Sequence, residues 1–205
     1  MTMFWGLLGG IVISPLVLRA ARTAARHGRP GRLIDAGVVL ACAVGGVAAA
    51  SLTAPALIAL YGAAVAVAVA AAAVDASENR LPNVLTYPLA CGGLVTLTTL
   101  SVLTGSGSPW RALAGCGIYG GWLFIASLTG LGPGDVKLAA GVGIWLGWYS
   151  WPVLLAGIAV GQILITTCYL AGRRRRRRAA DPGRGGTPLG PAITAGFIAA
   201  LLLMT

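Results

Sequence analysis

Long apolar stretches separated by short polar ones run the length of this chain, and they restrict its possible folds more than any other feature. A membrane-spanning helix needs roughly 17–25 mainly apolar residues. By that criterion the sequence predicts an all-α, polytopic transmembrane helical bundle of eight segments, forming one domain over residues 1–205. The segments lie near residues 3–18, 34–51, 54–74, 84–104, 111–130, 137–149, 152–171 and 189–204.

Composition supports a membrane protein and excludes an ordinary soluble domain. Hydrophobic residues make up 57% of the chain and charged residues only 10%, whereas about a quarter of a soluble domain is charged. The lipid bilayer is therefore an expected partner. The sixth segment is short, and we expect a tilted or half-buried helix that its neighbours shelter. The first segment carries its positive charge after the apolar stretch, which is the reverse of a signal peptide, so we expect it to remain as a first span.

The basic residues predict which side of the membrane each loop faces. They concentrate in a short loop, 19–33, and in an Arg/Gly/Pro-rich linker, 172–188. Basic loops stay in the cytoplasm, and the six segments between these two regions return the chain to the same side if the short one crosses. Both termini are then outside, and the loops 75–80 and 132–137 are cytoplasmic. The loops predicted outside contain no lysine or arginine, although Arg111 opens the fifth segment there.

The arginine run after the seventh segment is explained by membrane topology. Six consecutive arginines, residues 173–178, could bind nucleic acid or anionic lipid, but directly after a span they are explained as a stop-transfer anchor. We therefore expect no nucleic-acid partner.

The cysteines lie in apolar runs without a CxxC pair or a nearby histidine, so we expect buried small side chains, no metal site and no cofactor. They are Cys42, Cys91, Cys116 and Cys168.

Two of the few acidic residues are predicted to lie at one membrane level. Asp75 and Asp135 each follow a span that runs from outside to inside, so packing of the third and fifth segments could bring them together. Two close carboxyl groups share a proton, because they cannot both ionise cheaply. The ionised member can then take a proton from water while the protonated member polarises a scissile carbonyl group, as in aspartic proteases.

Each acid also has a simpler interpretation. An aspartate at a helix end is most often a cap or an interfacial anchor, and the Gly-Pro-Gly turn before Asp135 could be an ordinary loop that this residue caps. Lys137 could tune the site, bind a lipid phosphate or extend to the membrane boundary. Glu78 could attract a basic substrate or only be solvated. Asp35 is interpreted as a helix-start residue.

Three segments of the chain resemble one known family. "GLGPGDVKLAAGVGIWLGW", from Gly130 to Trp148, is similar to the GxGDxKL segment of type IV prepilin peptidases and archaeal preflagellin peptidases. "DASENRLPNVLT", from Asp75 to Thr86, resembles their other aspartate segment, and "TPLGPAITAGFIAAL" resembles the segment that opens their last helix. The segments occur in the family's order and cover roughly residues 60–205.

The resemblance implies a membrane aspartic endopeptidase whose catalytic residues are Asp75 and Asp135. Its substrates would be prepilins or pseudopilins of type IV or Flp/Tad systems, cut behind a short basic leader at the cytoplasmic face of the cell membrane. Gly132, Gly134, Glu78 and Lys137 are expected to support the site or bind substrate. Many members carry a domain with paired CxxC motifs between their first two spans, which methylates the product. The loop 19–33 has no cysteine, so we expect no methyltransferase activity.

Two interpretations from other classes stay open. A small proton-coupled transporter would use the two aspartates as a proton relay, and it predicts carboxyl groups near the bilayer midplane within broken helices. An inactive scaffold of a pilus or secretion machine is the second. The sequence leaves the pilin class and the oligomeric state undetermined.

Overall fold

The computed structural model describes residues 2–25, 31–50, 52, 55–128, 132–178 and 188–203. Across these ranges the chain is helical and forms no strand, as predicted. Every predicted segment corresponds to one helix. The helices are α1 (Thr2–Ala24), α2 (Arg32–Ala50), α3 (Pro55–Glu78), α4 (Asn83–Thr104), α5 (109–127), α6 (Pro133–Tyr149), α7 (Trp151–Arg178) and α8 (Gly190–Leu202).

Five of the helices are long and apolar enough to cross a membrane, namely α1, α2, α3, α4 and α7. Many large apolar side chains point outward from the bundle, including Val12, Val102, Ile125 and Ile163. An outward apolar surface of this kind is what the hydrocarbon of a bilayer would cover. The chain is a multi-pass membrane protein.

Glycines allow three pairs of neighbouring helices to approach closely. A methyl group on Gly10 of α1 would meet the backbone of α2, and Gly196 of α8 lies against Gly157 of α7. Between α5 and α6, a methyl group on either Gly115 or Gly143 would meet the carbonyl oxygen of the other. Small residues at such crossings stabilise membrane helix pairs, because van der Waals contact replaces the hydrophobic driving force that lipid removes.

The short helix α6 is sheltered by its neighbours, as the sequence predicted. Its 17 residues are buried along most of their length, from Leu138 and Ala139 to Trp148. The ring of Trp145 packs edge-on against Tyr61 of α3, with centroids 5.1 Å apart. The Trp145 Nε1–H donates to the Leu89 carbonyl oxygen of α4 at 2.9 Å. Neighbouring helices therefore supply the contacts that lipid supplies to a longer span.

Arg111 also acts on α6, which accounts for a basic residue in a region where the sequence pattern disfavours one. Its Nη2 donates to the carbonyl oxygens of Trp148 and Tyr149 at 3.3 and 3.1 Å. These carbonyls end α6, where helical partners are missing and the helix dipole favours a cation.

Two helices contain a π-helical turn. In α4 this turn begins at Pro88 and covers Pro88–Gly92. In α5 it covers Cys116–Gly120, which packs against α6. Proline lacks the backbone N–H that a regular helix needs, so a local change of hydrogen bonding at Pro88 has a direct cause.

The expectation that all four cysteines are buried is wrong. Cys42 is buried and Cys116 is partly buried, but Cys91 and Cys168 are exposed on the surface of the bundle. An apolar helix that crosses a membrane presents one side to protein and another to lipid, so an apolar neighbourhood in sequence does not decide the side.

The two basic regions are largely extensions of helices. Helix α7 continues through the arginine run to Arg178, and arginine is a good helix former, so the first residues of the predicted linker are helical. Residues 179–187 of that linker, including Asp181, lie outside the described part of the chain, as do residues 26–30 of the loop 19–33. Arg22 pairs with Asp35 in the first turn of α2 at 3.0 Å, as expected of a helix-start residue. The membrane sidedness stays a prediction.

Candidate active site

Asp75 lies in the last turn of α3, inside the protein. Asn79 ends this helix by adopting a left-handed backbone conformation (φ 49°), and its N–H donates to the Asp75 carbonyl oxygen at 2.8 Å. Asparagine tolerates this conformation better than most residues. The Asp75 side chain is only 5% exposed. Its Oδ2 accepts a hydrogen bond from the backbone N–H of Gly190, the first residue of α8, at 2.8 Å.

Asp135 lies in the first turn of α6 and is 8% exposed. The residue at the N-cap position is Gly132, and Asp135 lies three positions further on, inside the helix. The interpretation of Asp135 as the helix cap is therefore wrong. Within the described ranges its Oδ1 is buried without a hydrogen-bond partner. A buried, unpartnered oxygen is costly in a structural residue and is common at a functional site.

The two carboxyl groups lie within electrostatic reach of each other. Both residues are buried, and the negative charge of Asp75 acts on Asp135. A side-chain contact also joins α3 to α6, where the Tyr61 hydroxyl donates to the Trp145 carbonyl oxygen at 2.8 Å. At 1.5 Å per helical residue, Asp75 lies about 21 Å along α3 from that contact and Asp135 about 15 Å along α6. The two acids thus fall at the same end of an antiparallel pair.

Of the two glycines around Asp135, only Gly134 permits a close approach. A methyl group on Gly134 would lie 2.8 Å from Cβ of Leu81, in the segment that follows Asp75, whereas one on Gly132 would find only ordinary contacts. Neither Gly132 nor Gly134 has a positive φ. Gly134 therefore allows the two aspartate segments to pack against each other.

Lys137 connects the same two segments. Its Nζ donates to the Asn83 side-chain oxygen at 2.9 Å and lies 5.3 Å from the centre of the Tyr87 ring. Both partners are in the first turns of α4. From the sequence, we expected Lys137 to tune the site, bind a lipid phosphate or extend to the membrane boundary. A contact between helices was not among these expectations.

Glu78 lies one turn beyond Asp75, with a side chain that is mainly buried. Its Oε2 is 4.0 Å from Nη1 of Arg80. A long contact of this kind contributes little energy. Glu78 is therefore near the two aspartates, but it is not an exposed negative charge.

An apolar groove of about 440 Å³ runs beside Asp75, between α2, α3 and α8. Ala72 and Ala76, which flank Asp75 on its helix, form part of the wall. Val38, Ala41 and Ile198 form other parts. The described residues contain no group of three or more potential metal ligands.

Sequence reasoning missed the contribution of Gly190. The segment around this glycine was matched only as the opening of the last helix, and no role was assigned to its backbone. The available signal was a glycine directly before a proline at a helix start, where an N–H is free to bind an acceptor.

This fold and site define a class: a polytopic helical membrane protein with two buried aspartates at adjoining helix ends. The family model described as "Type IV leader peptidase family" matches residues 62–169, which include both Asp75 and Asp135. The chain belongs to the type IV leader peptidase family.

Several curated proteins are similar to the chain. A prepilin leader peptidase/N-methyltransferase of Burkholderia pseudomallei (strain 1026b) is 33% identical over 148 residues, covering 66% of this chain and 43% of the relative. A protein of the same name from Escherichia coli (strain K12) is 35% identical over 95 residues, 44% of this chain and 42% of the relative. The leader peptidase HopD of Escherichia coli is 30% identical over 132 residues, 60% of this chain and 80% of HopD.

The chain thus spans less than half the length of the first two relatives. No solved structure matches it.

Proposed function

We propose that this protein is an aspartic endopeptidase that cleaves the basic leader from prepilin-like precursors at the cytoplasmic face of the cell membrane. The observation that carries the proposal is the pairing of two buried carboxyl groups, Asp75 and Asp135, at the end of one helix pair. The names of the relatives, which are leader peptidases, support the substrate class.

The pair would activate water with one proton shared between two carboxyl groups. The ionised carboxylate accepts a proton from water while the water oxygen attacks the carbonyl carbon of the scissile peptide bond. The protonated carboxyl group donates its proton to the carbonyl oxygen, which gives a neutral tetrahedral intermediate. When this intermediate collapses, the nitrogen takes a proton from the pair, one of the two hydroxyl groups returns a proton to the pair, and the C–N bond breaks. The free acid and amine then leave, and the pair again holds one proton.

The surroundings of the pair fit a substrate with a polar and an apolar part. The groove beside Asp75 is almost wholly apolar, so it would accept the hydrophobic segment that follows a leader. Asp75, Asp135 and Glu78, three of the five acidic residues, lie at this end of the bundle, and they would attract the basic leader. Gly132, Gly134 and Lys137 would support the site by shaping the turn.

The loop between α1 and α2 supports cleavage without methylation at that position. Helix α1 ends at Ala24 and α2 begins at Arg32, and no cysteine occurs in residues 19–33. The space between these helices therefore cannot hold a domain with paired CxxC motifs.

The helix-end positions of both acids favour a peptidase over a proton-coupled transporter. A transporter site is expected near the bilayer midplane, where helices are interrupted. Asp75 is in the last turn of α3 and Asp135 in the first turn of α6. A scaffold without activity would have no need of two interacting buried carboxyl groups, because burying them costs free energy.

A cleavage assay in reconstituted membranes tests the proposal, with a co-encoded pilin precursor as substrate. Asp75→Asn and Asp135→Asn each keep the size of the side chain but remove the carboxyl group that holds or moves the proton, so each should abolish cleavage. Asp35→Asn is the matched control, because Asp35 of α2 pairs with Arg22 of α1 and takes no part in the site. Near wild-type processing by either active-site variant, at normal expression, would remove that residue's catalytic role.

A further inference from the structure

The two acids differ in their hydrogen-bond partners. Asp75 Oδ2 accepts the Gly190 N–H at 2.8 Å, whereas within the described ranges Oδ1 of Asp135 has no hydrogen-bond partner. The Gly190 N–H is among the first of its helix, where backbone donors lack helical partners. A carboxylate at this position is stabilised more than a neutral carboxyl group.

Only glycine fits at residue 190 without moving Asp75. A methyl group there would lie 3.0 Å from Asp75 Oδ2, 3.1 Å from its Cβ and 3.3 Å from its Cγ. These three atoms belong to one short side chain on a packed helix, so they cannot yield separately. Helix α8 is also held to α3 further along, where the Thr194 hydroxyl donates to the Ala68 carbonyl oxygen at 3.2 Å. The added methyl group would therefore displace the carboxyl group rather than the helix.

We propose that Gly190 is a positioning residue, whose N–H holds Oδ2 of Asp75 and makes Asp75 the member of the pair that carries the negative charge. Asp135 is then the member that keeps the proton. This assignment rests on the proposed peptidase function. It gives the two acids separate roles: Asp75 accepts the proton of the attacking water through its other oxygen, and Asp135 donates to the substrate carbonyl group.

The first test compares two glycine variants in the cleavage assay. Gly190→Ala should lower kcat by about tenfold or more with KM little changed, because displacement of a reacting group affects the transition state more than binding. Gly62→Ala is the control: it lies on the same helix as Asp75, and a methyl group there meets nothing within 4 Å. Its kcat should equal that of the wild type. Wild-type kcat in Gly190→Ala would overturn the positioning role.

A second test needs no change at Gly190 and so does not depend on whether that variant folds. Labelling leucine with ¹³C at the carbonyl carbon and glycine with ¹⁵N selects the four Leu–Gly peptide amides, at Gly9, Gly132, Gly147 and Gly190. Leu189→Ile removes one signal and thereby assigns Gly190. In Asp75→Asn the Gly190 amide proton should show the largest upfield shift of the four, since a neutral amide oxygen is a weaker acceptor than a carboxylate.

The outcomes separate this inference from the proposed function. If Asp75→Asn leaves the Gly190 amide unmoved, Asp75 is not its charged acceptor and the inference fails, even when cleavage is lost. If Asp75→Asn shifts the Gly190 amide signal and this variant still cleaves the precursor, the proposed catalytic role of Asp75 is wrong, although the hydrogen bond to Gly190 exists. Asp35→Asn should move none of the four signals.

Discussion

At the scale of single residues, the site is built from two acids that differ in their partners. Asp75 binds a backbone N–H at 2.8 Å, and Asp135 is buried at a helix start with an unpartnered oxygen. Neither acid is the cap that a lone aspartate at a helix end most often is. The rarity of acids in the chain and the two motif segments singled out these two residues, and their catalytic role stays a prediction.

The two aspartates should behave as one catalytic unit. Because a shared proton needs both carboxyl groups, the double variant Asp75→Asn, Asp135→Asn should be no less active than either single variant. The residual cleavage rates of the three variants, measured in the same membranes, check this. Multiplicative losses would show that the two residues act independently.

Cleavage should pass through a maximum as the pH rises, because the pair works only while it holds one proton. At low pH both carboxyl groups are protonated, and neither can take the proton of water. At high pH both carboxyl groups are negative, and no proton remains to polarise the carbonyl group. The dependence of kcat/KM on pH measures the effect. A rate that continues to rise at high pH would contradict the shared proton.

At the scale of the elements, α6 shows how a short helix can be held in a membrane bundle. Its length of 17 residues is near the lower limit of a spanning helix. Tyr61, Leu89 and Arg111 bind it from three neighbouring helices. Helix α6 carries Asp135 at its start, so the contacts that hold α6 also place the acid.

The crossing of α5 and α6 should not tolerate even a methyl group. Gly143→Ala would bring its new Cβ into the carbonyl oxygen of Gly115, and overpacking of this kind costs about 1–3 kcal/mol. Thermal unfolding in detergent should show the loss. Gly117→Ala in α5 is the control, because a methyl group at Gly117 meets nothing within 4 Å. Equal stability of the two variants would argue against this close crossing.

At the scale of the whole molecule, the described ranges form one bundle of eight helices with the two acids at one end. The helices follow the predicted segments closely, because bilayer thickness sets the length of an apolar run. Side-chain exposure was harder to predict, as the exposed Cys91 and Cys168 show.

Both basic regions should lie on the same side of the membrane. Six helices separate residues 19–24 from residues 173–178, and an even number of crossings returns the chain to its starting side. Reporter fusions after α1 and after α7 should both report the cytoplasm, and fusions between α2 and α3 the outside. Opposite sides for the two basic regions would show that one of the intervening helices, most simply α6, does not cross.

The sequence alone was enough to predict the number and approximate positions of the helices and to single out two acids that the structure places near each other, because apolar length and a local motif are both read along the chain. Tertiary structure decided which contacts complete the site. Gly190 and Asp75 are 115 positions apart, and Lys137 and Asn83 are 54 apart. Likewise, only packing shows that Gly134, rather than Gly132, is sterically required. These contacts depend on the way the helices cross, and the residue pattern within one helix does not show which helix packs against it.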